Sequence, residues 1–545
     1  MTATQVPAVP ALRRFLYASP LYGLTLRGPV PGDLRPTETP WTGSTAIGAR
    51  ILQGAYAIDG REIPLDSAWP RMADGDDAAL AHGFCWLADL RAIGSPNARA
   101  RALSLIAGWI ERHDSWDPLA WRLDILGERL SNWLVSGSFL TGGEDQAAAA
   151  GRLRRSAARQ ARHLRRCLRD LPANHRAFRA LEGLIVAGVC LPGAEAGLAE
   201  GLKLLEREIR RQVLPDGGIL ERSPSLLLEL LRRFIGLRAV LLAGQQEVPP
   251  WLQNAIDRMV PLLRALRLGD GRLALFNGGT ESVSGVIDAT LAQAHVRAKA
   301  LDSAPHAGFQ RLTAGKTLVI ADTGAPPPAG ADGAAHAGTL AFEMSVGRER
   351  LVVNCGNPGP ANPPLAQALR ATAAHSTLAV DDTNSSEILA DGRLGRRPAA
   401  VQAERHEEDG KTWLSLSHDG YLRPFGLVHR RTLYLGAEGG DLRGEELLDS
   451  ERGAGRGRTF ALRFHLAPRV TASVVQDGSS VLLRPPTGAG WRFTADGGRI
   501  ALEDSVYAGD PSQIRRCEQI VVSGFVDLSG RTKVRWALRR EDAGR

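Results

Sequence analysis

The sequence predicts a multidomain α+β protein, with helices first and an antiparallel β-sandwich second. Three observations predict it. From about residue 77 to 268, apolar residues recur at three- and four-residue spacing, with breakers at regular intervals. From about 308 to 539 the pattern turns to short strand-like runs divided by turn clusters, as in a sandwich. The two patterns do not alternate, so they mark separate folding units and not a parallel α/β sheet. A chain of 545 residues is also too long for one core.

The elements follow in order. Residues 1–75 are rich in Pro and Gly, carry no sustained period and read as an extended N-terminal arm. A helical domain is expected over 76–300. Its helices fall at about 78–93, 97–113, 118–136, 144–171, 174–191, 195–213, 222–244 and 249–268. Ser95-Pro96-Asn97, Asp117-Pro118, Pro192-Gly193 and Pro215-Asp216-Gly217-Gly218 punctuate them, with Pro and Gly near helix ends. Helices joined by such short turns pack as antiparallel hairpins. A strand domain is expected over 308–545. Its runs include 317–322, 340–346, 350–354, 375–380, 412–417, 431–435, 480–483 and 519–526.

Composition narrows the function classes. The formal net charge is +8 and Arg far outnumbers Lys. Guanidinium groups grip carboxylates and sulfates with paired hydrogen bonds, which suits an acidic polymer. A solvated Arg-rich surface explains the same charge without a ligand. No basic stretch is interleaved with aromatics, so nucleic acid is not an expected partner. The five cysteines are odd in number and widely spaced, which argues against a disulfide framework or a Cys-rich zinc module. No apolar run is long enough for a secretory leader or a transmembrane span, so the residues alone point to the cytoplasm.

Five segments carry a family resemblance. They are Asn174-His175 opening a helix; Pro215-Asp216-Gly217-Gly218 with Glu221-Arg222-Ser223-Pro224; 335–343 leading into 351–356; Ala373-Ala374-His375-Ser376-Thr377-Leu378; and His418-Asp419-Gly420-Tyr421 with His429-Arg430-Arg431. In this order, from about Trp121 onward, the chain resembles the heparinase II/III-like polysaccharide lyases. The resemblance implies an α/α toroid, a C-terminal β-sandwich and a cleft between them. It implies β-elimination on a uronate-containing glycan: the uronate carboxylate is neutralised, a base takes the neighbouring proton, and the glycosidic oxygen leaves. It also implies the cell envelope or periplasm as the place of action.

Carried over position by position, the match is partial. Asn174 and His175 stand where the family neutralises the carboxylate, though an Asn before a helix is also an ordinary N-cap. The tyrosine expected after Ser223-Pro224 is absent, and no tyrosine occurs between Tyr56 and Tyr421. Tyr421 is the expected substitute proton donor, with a half-buried strand tyrosine as the plain alternative. Where the family has Gly-His-x-His, this chain has Gly333-Ala334-Ala335-His336, so only the second histidine remains. His336, Asn354 and His375 match the zinc ligands of metal-containing members, with an amide in place of the carboxylate. Zinc is therefore possible only at a degraded site, and no other cofactor is expected. Arg222, Trp133 and Arg430 are candidate substrate-binding residues. The plain alternatives for the first two are an Arg222–Glu221 pair and a core tryptophan. The acidic loop 381–386 reads as a capped turn before a cation site.

The leading expectation is a lyase-like protein acting on an acidic polysaccharide or oligosaccharide. The alternative is a catalytically impaired or repurposed acidic-glycan-binding protein of the cell envelope. Hydrolysis by paired carboxylates has only Glu221 and Asp216 to offer.

Overall fold

The computed structural model describes residues 11–29, 32–66, 69, 75–142, 147–450, 457–475, 478–527 and 531–541. These fall into two compact units. The helical unit comprises the described residues of Gln5–Val213 with Leu230–Ile256. The strand-bearing unit comprises those of Leu214–Glu229 and Asp257–Arg545.

The N-terminal segment is not simply extended. It forms α1 (Ala11–Ala18), α2 (Pro20–Thr25), α3 (Thr45–Leu52) and a hairpin of β1 (Ala55–Ile58) with β2 (Arg61–Pro64). Elements of four to eight residues are too short to leave a sequence period, which is why the arm reads as featureless. The helical hairpins of the α/α toroid follow: α4 (Asp76–Gly83), α5 (Leu87–Ile93), α6 (Pro96–His113), α7 (Leu123–Val135), α8 (Gly137–Thr141), α9 (Ala147–Arg166), α10 (Arg176–Cys190) and α11 (Ala196–Gln212). Next come α12 (Pro224–Ala243), α13 (Pro250–Ala265) and α14 (Ser284–Ala294).

Local chemistry explains the boundaries. Pro96 starts α6, and the Ser95 hydroxyl accepts from Ala98 N at 3.2 Å. The helix expected over 78–93 is instead two, broken at Phe84 in the left-handed region (φ 57°). The Phe84 ring is fully buried against Trp86, Trp69 and Trp133, and this aromatic core overrides helix continuity. α7 and α10 meet backbone to backbone. A Cβ on Gly183 would stand 2.3 Å from Gly127 O, so only glycine admits this approach. That contact fixes the axis of α10, which Asn174-His175 directly precede.

The strand-bearing unit is an antiparallel β-sandwich. One sheet comprises β3 (Ser303–Ala304), β4 (Phe309–Ala314), β5 (Thr317–Asp322), β6 (Phe342–Val346), β7 (Glu349–Val353), β8 (Leu378–Val380), β13 (Arg458–Leu466), β17 (Arg499–Tyr507) and β18 (Arg515–Val526). The other runs β14 (Thr471–Val475), β15 (Ser480–Arg484), β16 (Trp491–Asp496), β19 (Arg531–Arg540), β12 (Asp441–Asp449), β11 (Val428–Leu435), β10 (Lys411–His418), β9 (Val401–Glu408) in spatial order. Short helices α15 (Pro363–Ala368) and α16 (Leu422–Phe425) lie in the connections. Alternate residues of β11, β12 and β19 point inward. They join the other sheet in one apolar core, where Phe342 stacks on Trp536 at 5.6 Å.

A buried polar bridge also ties the sheets. Arg431 on β11 pairs with Glu446 at 2.8 Å and donates to the carbonyls of Leu340 and Ser376. Glu446 also accepts from Trp536 Nε1 and contacts His429 Nε2 at 2.7 Å. All four residues are nearly or wholly buried, so the network fixes how the sheets register as well as how firmly they pack.

Candidate functional site

The helical unit carries the first candidate pair at the start of α10. Asn174 and His175 are both half-buried and reach solvent. Asn174 Oδ1 accepts from Arg176 N at 3.1 Å, while its backbone carbonyl accepts from Ala177 N at 3.0 Å. The amide oxygen therefore caps the helix start, and the amide NH₂ remains as a donor. Positive potential gathers there. The helix N-terminus points its N–H groups at this end, Arg176 follows directly, and Arg211, itself paired with Glu208, donates to Ala173 O at 3.3 Å. Below them, burial pushes the Asp124 carboxyl up, but bonds from Arg122 and the nearby Arg176 and Arg179 hold it below the usual range. An amide donor, an imidazole and this potential suit a carboxylate ligand.

The second candidate group lies in the sandwich. His336 Nδ1 stands 3.0 Å from His375 Nε2, and His375 Nδ1 stands 2.8 Å from Ala371 O. A carbonyl only accepts, so His375 Nδ1 carries the proton and its Nε2 accepts from His336 Nδ1–H. This assigns the tautomers and leaves His336 Nε2 as the basic nitrogen. Burial holds the His375 imidazolium down to about 4 and His336 well below its ordinary value, so both rings are neutral near pH 7. Gly338 makes room for the pair, because a Cβ there would approach the His375 ring to 2.6 Å.

These residues do not fit a zinc ion. Asn354 Nδ2 donates to Leu275 O at 3.1 Å and Oδ1 accepts from Ser376 N at 3.0 Å. Both arms of the amide thus hold backbone, and the two imidazoles face each other. Zinc sites want three or four donors directed at one point, usually with a charged ligand among them. Among the described residues no cluster of three or more His, Cys, Asp or Glu side chains has metal-holding geometry.

Several expected site residues are placed in the core. Tyr421 is fully buried, and its hydroxyl donates to Leu378 O at 2.9 Å. Burial makes it a far weaker acid than a free phenol. A sealed, raised phenol bonded to backbone is not a proton donor to a glycan, and Tyr421 is corrected to a core residue. Trp133 is likewise sealed, edge-on to Phe84 and Trp109 at 5.2 and 5.4 Å, and offers no face to a sugar.

Arg222 is buried and pairs with Asp322 at 2.5 Å, not with Glu221 as the local sequence suggested. Its other donors hold four backbone carbonyls, so it clamps its own unit and is not open to substrate. Arg430 is half-exposed on β11, 3.6 Å from Asp449. The 381–386 loop is a capped turn: Asp381 accepts from Thr459 N and Arg458.

One feature escaped the sequence reading. The outer face of the β9–β16 sheet holds a groove of about 670 Å³, lined by Trp413, Tyr434, Arg443, Glu445, Arg535 and Asp496. Trp413 and Tyr434 are cross-strand partners with ring centroids 5.1 Å apart, and Arg443 lies over Tyr434. The signal available was the outward period-two spacing of these residues on neighbouring strands.

Comparisons with known proteins agree with this architecture. Residues 110–296 match the family description "Heparinase II/III N-terminus", and 296–537 match "Heparinase II/III-like, C-terminal". A Caulobacter vibrioides protein, FtsZ-localized protein C, is 34% identical over 95% of this chain and 91% of its own. A crystal structure of heparinase III superposes with a TM-score of 0.75 at 12% identity, over 99% of this chain and 93% of that one. A heparan sulfate lyase from Pedobacter heparinus gives 0.62 at 14% identity, over 92% of this chain and 83% of that one.

Proposed function

Because the chain belongs to the heparinase II/III-like family, we propose that it uses this polysaccharide-lyase fold to bind an acidic, uronate-containing glycan without cleaving it. The carrying observation is the fate of the proton-transfer groups. Ala334 stands where the resemblance expects a histidine, and no tyrosine lies between Tyr56 and Tyr421. The six tyrosines are engaged elsewhere. Tyr56, Tyr421 and Tyr507 are buried. Tyr17 and Tyr22 contact Cys167 and His163, and Tyr434 packs on Trp413. Loss of a general acid or base lowers a rate by about 10²–10⁴-fold. The carboxylate-binding half, Asn174 and His175, is retained.

The ligand follows from that half. An amide NH₂, an imidazole and a cationic helix start select a carboxylate, and a uronate ring presents one. Calorimetry with heparan-, alginate- and hyaluronan-type oligosaccharides tests this. Binding to at least one class is expected, weakened about tenfold or more in the Asn174→Ala/His175→Ala variant. Binding untouched by that double substitution would remove the assignment.

A second reading keeps slow turnover, favoured by the His336–His375–Ala371 relay, which keeps the buried His336 ring neutral with Nε2 unprotonated. The two are separated by near-ultraviolet absorbance, which rises when β-elimination creates an unsaturated uronate. No rise is expected; a rise lost in His336→Ala would establish the slow lyase. From the relative's name we also propose that this chain localises with FtsZ.

A further inference from the structure

We propose that α1 and α2 form an interfacial anchor that seats this chain on the surface of a bilayer containing anionic lipids. Five large apolar side chains within residues 12–24 face solvent: Leu12, Phe15, Leu16, Leu21 and Leu24, at 71, 77, 51, 72 and 48% exposure. They are five of the twelve exposed large hydrophobics among the described residues, and the other seven are scattered from 242 to 525. Contiguous exposed apolar surface of this kind marks an interaction site.

The exposure is built in and does not come from loose helices. Leu12, Phe15 and Leu16 share one face of α1 by their three- and four-residue spacing. The tyrosines hold the opposite side down on α9. Tyr22 Oη lies 2.7 Å from His163 Nδ1, and the Cys167 thiol donates to Tyr17 Oη at 3.3 Å. Arg162 donates to Leu26 O at 2.8 Å, and Arg166 to Thr25 O at 2.7 Å. The polar side is thus docked and the apolar side presented outward.

Charge identifies the occupant. Residues 11–29 contain no acidic residue. The helix beneath, α9, has seven arginines and no acid. Arg14, Arg27, Arg152, Arg155, Arg166 and Arg169 are exposed on this segment and on the α9 stretch it docks against, while Arg165 is paired with Glu200 and Arg13 with Asp170. An apolar face on a segment rich in guanidinium groups matches the headgroup and acyl boundary of an anionic leaflet, where apolar burial and lipid phosphate attraction act together. A protein partner of matching shape would need a large acidic rim. No helix among the described residues is long and apolar enough to cross a membrane, so these helices would lie in the interface plane.

The test uses the full chain with sedimenting vesicles, one set of phosphatidylcholine and one carrying roughly a third phosphatidylglycerol. The protein is expected to pellet with the anionic set, to be released by high salt, and to lose at least tenfold in apparent affinity as Phe15→Asp/Leu21→Asp. An unchanged urea midpoint for that variant shows that its fold is intact, because both positions are exposed. Absence of binding to anionic vesicles, or binding that survives the double substitution, overturns the proposal. So does lipid-free dimerisation abolished by the same variant, which would make a second copy the occupant.

Discussion

Arg222→Ala is expected to destabilise the strand-bearing unit by about 3–5 kcal/mol, the range for removing one partner of a buried ion pair. The side chain is 6% exposed, and all its donors are used. Nε donates to Ala307 O at 2.8 Å, Nη1 to Gly324 O and Ala325 O, and Nη2 to Gly308 O and Asp322 Oδ1. The guanidinium also lies 5.0 Å from the Phe309 ring centre. Alanine would strand four carbonyls and a buried carboxylate. Burial already pushes Asp322 up, and only Arg222 and the Gly324 amide pull it back. Lysine should rescue little, since one ammonium cannot span a fork that reaches both 307–308 and 322–325. Urea unfolding measures the loss. A change below about 1 kcal/mol would show that the clamp is dispensable, and a loss of glycan binding at unchanged stability would return Arg222 to the ligand.

The same residue shows what a sequence does and does not disclose. Its neighbour Glu221 offered a plausible partner, but the partner chosen stands 100 residues away. Elements set by local pattern were legible: the strand Thr317–Asp322 and the helix Pro96–His113 fall where period and punctuation put them. The Asn174 cap was legible because it acts two residues along the chain.

Side-chain fates set by tertiary packing were not legible. Tyr421 follows a polar His-Asp-Gly turn and looked accessible, but its hydroxyl finds Leu378 O, 43 residues back. Trp133 could have been platform or core, and only the arrival of Phe84 and Trp109 decides for core. The base character of His336 depends on His375, 39 residues on, and through it on Ala371. The α1–α2 patch was hidden for another reason. Two helical turns leave no measurable period, and exposure is a property of the docked state.

Acid is expected to unfold this protein well above the carboxylate range, at around pH 5–5.5. Seven of the twelve histidines are buried: His82, His163, His336, His375, His418, His429 and His465. Burial lowers every one of them, to about 3 for His82, His163 and His465 and about 4 for His375. Their unfolded value is about 6.5. Below it the unfolded chain binds protons that the folded chain refuses, so stability falls by about 1.4 kcal/mol per pH unit for each such group.

Glu343 acts in the opposite sense. Burial raises it to about 7, so its folded form takes up a proton first and gains stability as the pH drops towards its unfolded value. Burial raises Asp89, Glu182 and Asp322 as well, and four carboxyls do not offset seven imidazoles. The net loss one unit below pH 6.5 is on the order of 5 kcal/mol, comparable to the stability of a marginal domain. Urea midpoints measured from pH 8 to 5 should be level above 7 and fall steeply below 6.5. His82→Phe, which keeps a ring stacked on Trp69, should lower the proton uptake on unfolding by about one. Midpoints that stay flat from pH 7 to 5 would mean that these imidazoles are protonated, or reach water, in the folded protein.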